Sequence, residues 1–303
     1  EVRAMRERLL TIIVPTLNPD GMDMVQRWHD ATAGTRRAGS PPPLLYHRHA
    51  GHDNNRDWIY RNLPETRAVL DAIHRQWLPH VTLDQHQMNP EGPRFVLPPY
   101  ADPWEPHIHP QIVAAANGLG QAIATDLTLS GRPGVTTGRY FDAWEPSRAI
   151  QHYRGGVRIL AEAASANLAH PITISPETLA TPPLPQEATP TTAMPLPWPG
   201  GTWRLRDIVD YHLATAKSLL AHISRDPERW LDLQPRVLRD TLAPELTVQI
   251  PTRRHALDPG ASKRLAGILA DADLTTPAGR DRALDEIAPV LAGMEGTILG
   301  QEM

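Results

Sequence analysis

Three groups of residues carry functional chemistry in their types and spacing. The first is the stretch 81–99, VTLDQHQMNPEGPRFVLPP. In it Val81 and Leu83 alternate with Thr82, Asp84 and His86, and a period of two puts the latter three on one face of a strand. Polar groups at a strand's end before a Pro/Gly-rich loop stand where open α/β sheets place ligands. His86 is therefore a candidate metal ligand, with Asp84 a candidate partner for its second ring nitrogen; the competing assignment is a hydrogen-bonded structural histidine. The second group is Glu162, which follows the short apolar run VRILA (157–161) beside small residues that leave room for a substrate. The third is GHDNNRDW (51–58), where Asn54, Asn55, Arg56 and Asp57 crowd together as polar recognition chemistry rather than core.

The elements that must position these groups are legible in part. Residues 9–17 (LLTIIVPTL) form an apolar, β-branched run closed by Asn18-Pro19-Asp20-Gly21, which predicts a central strand entering a turn. Residues 22–48 are irregular and rich in Arg, Gly and Pro, and read as a long loop. A helix is expected from Pro64, with Val69, Leu70, Ile73 and Trp77 on one face, and the strand of His86 follows it. Strand, helix and strand in succession predict a layered α/β fold. A second helix is expected over 112–129, weakened by Gly118 and Gly120, and residues 157–161 read as a buried strand. Nine prolines between 170 and 201 exclude helix there and leave little room for sheet, so the stretch reads as a connector. Residues 203–223 carry the clearest helical spacing. Beyond them lie a possible strand at 246–250 and helical patterns near 261–271 and 281–292. The expected organisation is an α/β domain over 1–170, a Pro-rich connector over 171–202 and a mainly helical region over 203–303.

The chain has 303 residues, 41% of them hydrophobic, and a net charge of -4. That is ample for a core and gives no sign of a nucleic-acid or anionic-membrane partner. No cysteine occurs, which excludes disulfides, thiolate metal sites and thiol nucleophiles, and suits an exported or periplasmic protein as well as a cytosolic one. No apolar run is long enough to span a membrane.

In order, VPTLNPDG (14–21), HDNNRDW (52–58), DQHQ (84–87) and ILAEAAS (159–165) resemble motifs of the zinc carboxypeptidase family, whose fold is that of the pancreatic carboxypeptidases. The pairing of NNRDW with WLPHVTLDQHQMNPEGPRFVLPPYADP is similar to a bacterial branch. The resemblance covers roughly residues 9–168. It implies a three-layer α/β/α fold with a mixed central sheet. It also implies one zinc ion with His86 as third ligand, Glu162 as general base, and Asn55 and Arg56 binding a terminal carboxylate. Arg27 would polarise the scissile carbonyl, with Arg36 and Arg37 competing for that place. Tyr140 would close over the substrate, with Tyr153 the alternative. The implied partner is a peptide or small amide with a free carboxylate.

One departure stands out. The family's first two zinc ligands come from a His-x-x-Glu motif upstream of the NPDG turn, and no His-x-x-Glu occurs in the 303 residues. His47, His49 and His52 lie in a loop beside the carboxylate-binding motif and make a poor substitute. The expectation is an incomplete chain whose N-terminal segment carries both ligands, inactive by itself. The alternatives are an aspartoacylase-like amide deacylase and a pseudoenzyme that binds peptide carboxylates without cleaving them.

Overall fold

The run Val157–Ala164 (VRILAEAA) is mostly apolar and is buried along its whole length, as expected of a strand with neighbours on both sides. A computed structural model describes residues 2–44, 53–102, 104–139, 149–180, 189–241 and scattered positions between 263 and 289. It divides into two units, Glu1–Arg239 and Asp240–Met303.

The first unit holds a mixed four-stranded sheet flanked by helices, in the order β1-β4-β2-β3: β1 is Val81–Met88, β2 Phe95–Val96, β3 Val135–Thr136 and β4 Val157–Ala164. β4 pairs parallel with β1 and antiparallel with β2, which pairs parallel with β3. The helices before and between these strands are α1 (Val2–Arg8), α2 (Pro19–Thr32), α3 (Pro64–Val69), α4 (Pro110–Leu129) and α5 (Ile150–Tyr153). After the sheet come β5 (Ile172–Ile174), α6 (Pro176–Ala180), β6 (Gly201–Trp203), α7 (Leu205–Arg225) and α8 (Pro227–Thr241).

α4 begins where Pro110 takes the first helical position and the His109 ring accepts from Gln111 N. It buries Ile112, Ala116, Leu119, Ile123 and Leu127. α7 buries Ile208, Tyr211, Leu219 and Ile223, and the two helices are tied by Ser218 Oγ and His222 Nε2 to Asp126 Oδ2 at 2.7 and 2.9 Å. Each fully buried aliphatic side chain here contributes about 1.5–3 kcal/mol. Trp203 donates from its indole to Ala164 O at 2.8 Å. The buried Arg94 guanidinium stacks on Trp198 and Trp203, 4.3 and 5.2 Å from their ring centres.

Four expectations change. Residues 9–16 form no strand; Leu10 and Ile13 are 73% and 78% exposed, because no described strand pairs with them and a β-branched run without a ladder has nothing to bury against. Residues 19–32 are helix rather than turn and loop. Asn18 Oδ1 accepts from Gly21 N at 2.9 Å and Pro19 holds the first helical position, so Asn-Pro serves as a helix start. The helix from Pro64 gives way after Val69 to a wider π turn over Leu70–His74. The proline-rich stretch contains the five-residue α6, with Pro176 at its start, and its β5 pairs antiparallel with β6, so Trp203 closes a strand just before α7. In the second unit Lys263, Arg264, Gly267, Ile268, Arg282, Asp285 and Glu286 are helical; the strand expected at 246–250 lies outside the described residues.

Candidate functional site

His86 and Glu162 are register partners on the adjacent parallel strands β1 and β4. Alternation places Thr82, Asp84 and His86 on the same face as Arg158, Leu160 and Glu162. The opposite face of β4, with Ile159, Ala161 and Ala163, belongs to the main apolar core. Two short sequence patterns thus deliver one polar face, and Glu162, which is buried, sits between His86 on one side and Val96 of β2 on the other.

On that face His86 Nε2 lies 2.8 Å from Asp84 Oδ1, and Arg158 donates from Nε and Nη2 to Asp84 Oδ2 at 2.9 and 2.6 Å. Burial alone would raise Asp84, but Arg158 and the bond from His86 hold its carboxyl well below the usual carboxylate range. An ionised carboxylate only accepts, so Nε2 of His86 is the donor, and a neutral His86 carries its lone pair on Nδ1. Burial disfavours the imidazolium, yet the hydrogen bond and the charges of Asp84 and Glu162 outweigh it and raise His86 above its ordinary value. From α7, His212 Nε2 reaches His86 O at 3.1 Å, and Gln85 Nε2 donates to His212 O at 3.1 Å. The buried His212 ring is held at about 4, so it stays neutral.

Asn55 and Arg56 lie on a single 3-10 turn, Asn54–Arg56, whose start is capped by Asp53 Oδ1 accepting from Asn55 N at 2.9 Å. Asn54 Nδ2 donates to Leu17 O at 3.0 Å, and the fully buried Asp57 accepts from Asn62 N and Leu63 N. Asn55 Oδ1 is a buried acceptor without a donor. Among the described residues, Leu17 and the loop's own backbone supply bonds that hold this turn. Arg27 stands on α2 with its side chain 79% exposed, 2.8 Å from Asp23, and is not among the residues gathered on the β1–β4 face. Tyr140, His47, His49 and His52 lie outside the described residues. Tyr153 packs against the core, and burial together with a hydrogen bond to Glu105 raises its phenol well above the ordinary value.

Sequence reasoning missed Arg158, Tyr100 and His212. Arg158 had a signal, since an arginine inside a buried strand demands a carboxylate. Tyr100, whose hydroxyl donates to Leu160 O, and His212 had none, because their roles depend on where a loop and a helix return to the sheet.

The donor set can be weighed against zinc. His86 suits a single ligand position: its carboxylate-held Nε2 leaves Nδ1 as the donor, the arrangement common in metal-binding histidines. Among the described residues, no group of three His, Cys, Asp or Glu side chains could hold a metal ion. Compared with protein-family models, curated proteins and solved structures, the chain matches none.

Proposed function

We propose that this chain is part of a zinc-dependent hydrolase of the metallocarboxypeptidase type, which removes the C-terminal residue of a peptide. The observation that supports it is the pairing of His86 and Glu162 in register, with the Nε2 of His86 held by Asp84, whose other oxygen accepts from Arg158. In this reading His86 presents Nδ1 to the ion, and the other two ligands come from outside the described residues. Zinc supplies a water made acidic enough to attack at neutral pH. Glu162 takes up a proton at a carboxylate oxygen and delivers it to the leaving nitrogen. Asn55 and Arg56 receive the substrate's terminal carboxylate, for which a guanidinium fork is the better shape. Asp84 keeps the His86 ring from rotating, and Arg158 keeps Asp84 ionised.

The test is hydrolysis of C-terminally free peptides by the zinc-loaded, full-length protein. His86→Ala should abolish zinc uptake and activity together, and Glu162→Gln should abolish activity with zinc retained. Arg56→Ala should weaken substrates with a free carboxylate by roughly 1.5–3 kcal/mol, leaving C-terminal amides unaffected. Cleavage of N-acyl amino acids in place of peptides would move the assignment to an aspartoacylase-like deacylase. Tight peptide binding without cleavage would make the protein a carboxylate-binding pseudoenzyme.

A further inference from the structure

Near the end of β4 where the strand begins, two arginines share one carboxylate and a third stands within electrostatic reach. Arg61 Nη2 and Arg75 Nη1 both approach Asp71 Oδ1, at 2.7 and 3.4 Å. Arg154, three residues before β4 starts at Val157, lies within electrostatic reach of Arg61, Arg75 and Asp71. Arg61 and Arg75 share the one carboxylate of Asp71, and Arg154 adds a third guanidinium to the group. His74 adds no further positive charge, because burial and the nearby Arg154 lower its pKa. Two guanidinium donors, Arg61 Nε and Arg154 Nη1, are buried without an acceptor. Arg67 Nη1 donates to Arg61 O and Asn62 O at 2.9 and 2.8 Å, and Gln234 Nε2 donates to Arg154 O at 3.0 Å, so the backbones that carry Arg61 and Arg154 are anchored.

We propose that Arg61, Arg75 and Arg154 form a binding site for a phosphate group. The oxygens of a phosphate can accept from several N–H donors at once, which suits guanidinium donors that outnumber the carboxylate between them. Arg75, with its side chain 67% exposed, leaves the cluster open to solvent. The strand from Val157 to Glu162 spans about 17 Å at the usual rise per residue, so this site is separate from the one at His86 and Glu162 and does not depend on the hydrolase reading.

The experiment is calorimetric titration of the purified protein at low ionic strength with inorganic phosphate, glycerol phosphate and acetate. Saturable phosphate binding is expected, at least ten-fold tighter than acetate and weakening as salt rises. Arg154→Gln and Arg75→Gln should each weaken it ten-fold or more. Arg206→Gln, an exposed arginine on α7 paired with Asp210, should leave it unchanged. Arg75 is mostly exposed, so its variant should keep the parent's melting temperature without ligand, which separates lost binding from lost folding. Glycerol phosphate tighter than inorganic phosphate supports the site with a phosphorylated molecule as its ligand; the reverse order supports it with the free ion. No saturable phosphate binding, acetate as tight as phosphate, or phosphate binding untouched by both cluster variants would overturn the proposal.

Discussion

Arg158 and Asp84 decide whether His86 can be held in one orientation, and they make a costly pair to break. Arg158 is buried, and both donors on its Nε side converge on one oxygen of a carboxylate whose other oxygen serves His86. Removing one partner strands the other charge, and such losses run to about 3–5 kcal/mol. Asp84 keeps some solvent contact, so Arg158→Leu should cost about 3 kcal/mol in urea denaturation. The double variant Arg158→Leu/Asp84→Leu should be less damaging than the single one, because no uncompensated charge remains. A double variant as unstable as the sum of both singles would show that the pair is not energetically coupled. Asp84, His86 and Glu162 were legible in the sequence, since a period of two and the end of an apolar strand point to them. That Arg158 serves Asp84 was not, because the match depends on the register between two strands seventy-odd residues apart, which neither strand states alone.

At the scale of the elements, α4 shows that two glycines in one helix can have opposite meanings. Both weaken the helical signal equally in the sequence. In the structure a Cβ on Gly118 would meet nothing within 4 Å, whereas one on Gly120 would come 2.5 Å from Pro98 O. Gly118→Ala should therefore gain up to about 1 kcal/mol from helix propensity. Gly120→Ala should lose about 1–3 kcal/mol by forcing α4 from the Pro98 backbone. Thermal melts of the two variants give the comparison, and equal shifts would sink it. The helices at 110–129 and 205–225 were readable because their apolar spacing is long and regular. Residues 9–16 and 18–21 misled for one physical reason: β propensity describes fit to a half-buried pleated surface, and Asn-Pro describes a change of direction. Neither says whether a partner strand or a helix follows.

Over the whole molecule, folding keeps His74, His152 and His212 neutral by burying them, with His152 near 3 and His212 near 4. A histidine whose folded value is depressed adds stability that is present above its unfolded value, near 6.5, and lost as pH falls toward the folded one. His86, raised above its ordinary value, works in the opposite direction. Between pH 7 and 5 His152 and His212 should each lose up to about 2 kcal/mol, His74 and His80 should add to that loss, and His86 should offset part of it. Urea midpoints measured across that range test this. A stability that holds level or rises toward pH 5 would mean the three rings are solvated in the native state.

Among the described strands β1 stands at the edge of the sheet, and its backbone keeps a two-residue beat. Val157 N donates to His80 O and Ser165 N to Met88 O, so the even-numbered residues of β1 turn their amides toward β4. Leu83, Gln85 and Gln87 turn theirs to the open side. In deuterated solvent the strand should therefore keep time in two tempos. The amides of Asp84 and His86 should hold their hydrogens far longer than those of Leu83, Gln85 and Gln87, so the residue with the most chemistry hangs from the slow half of the strand.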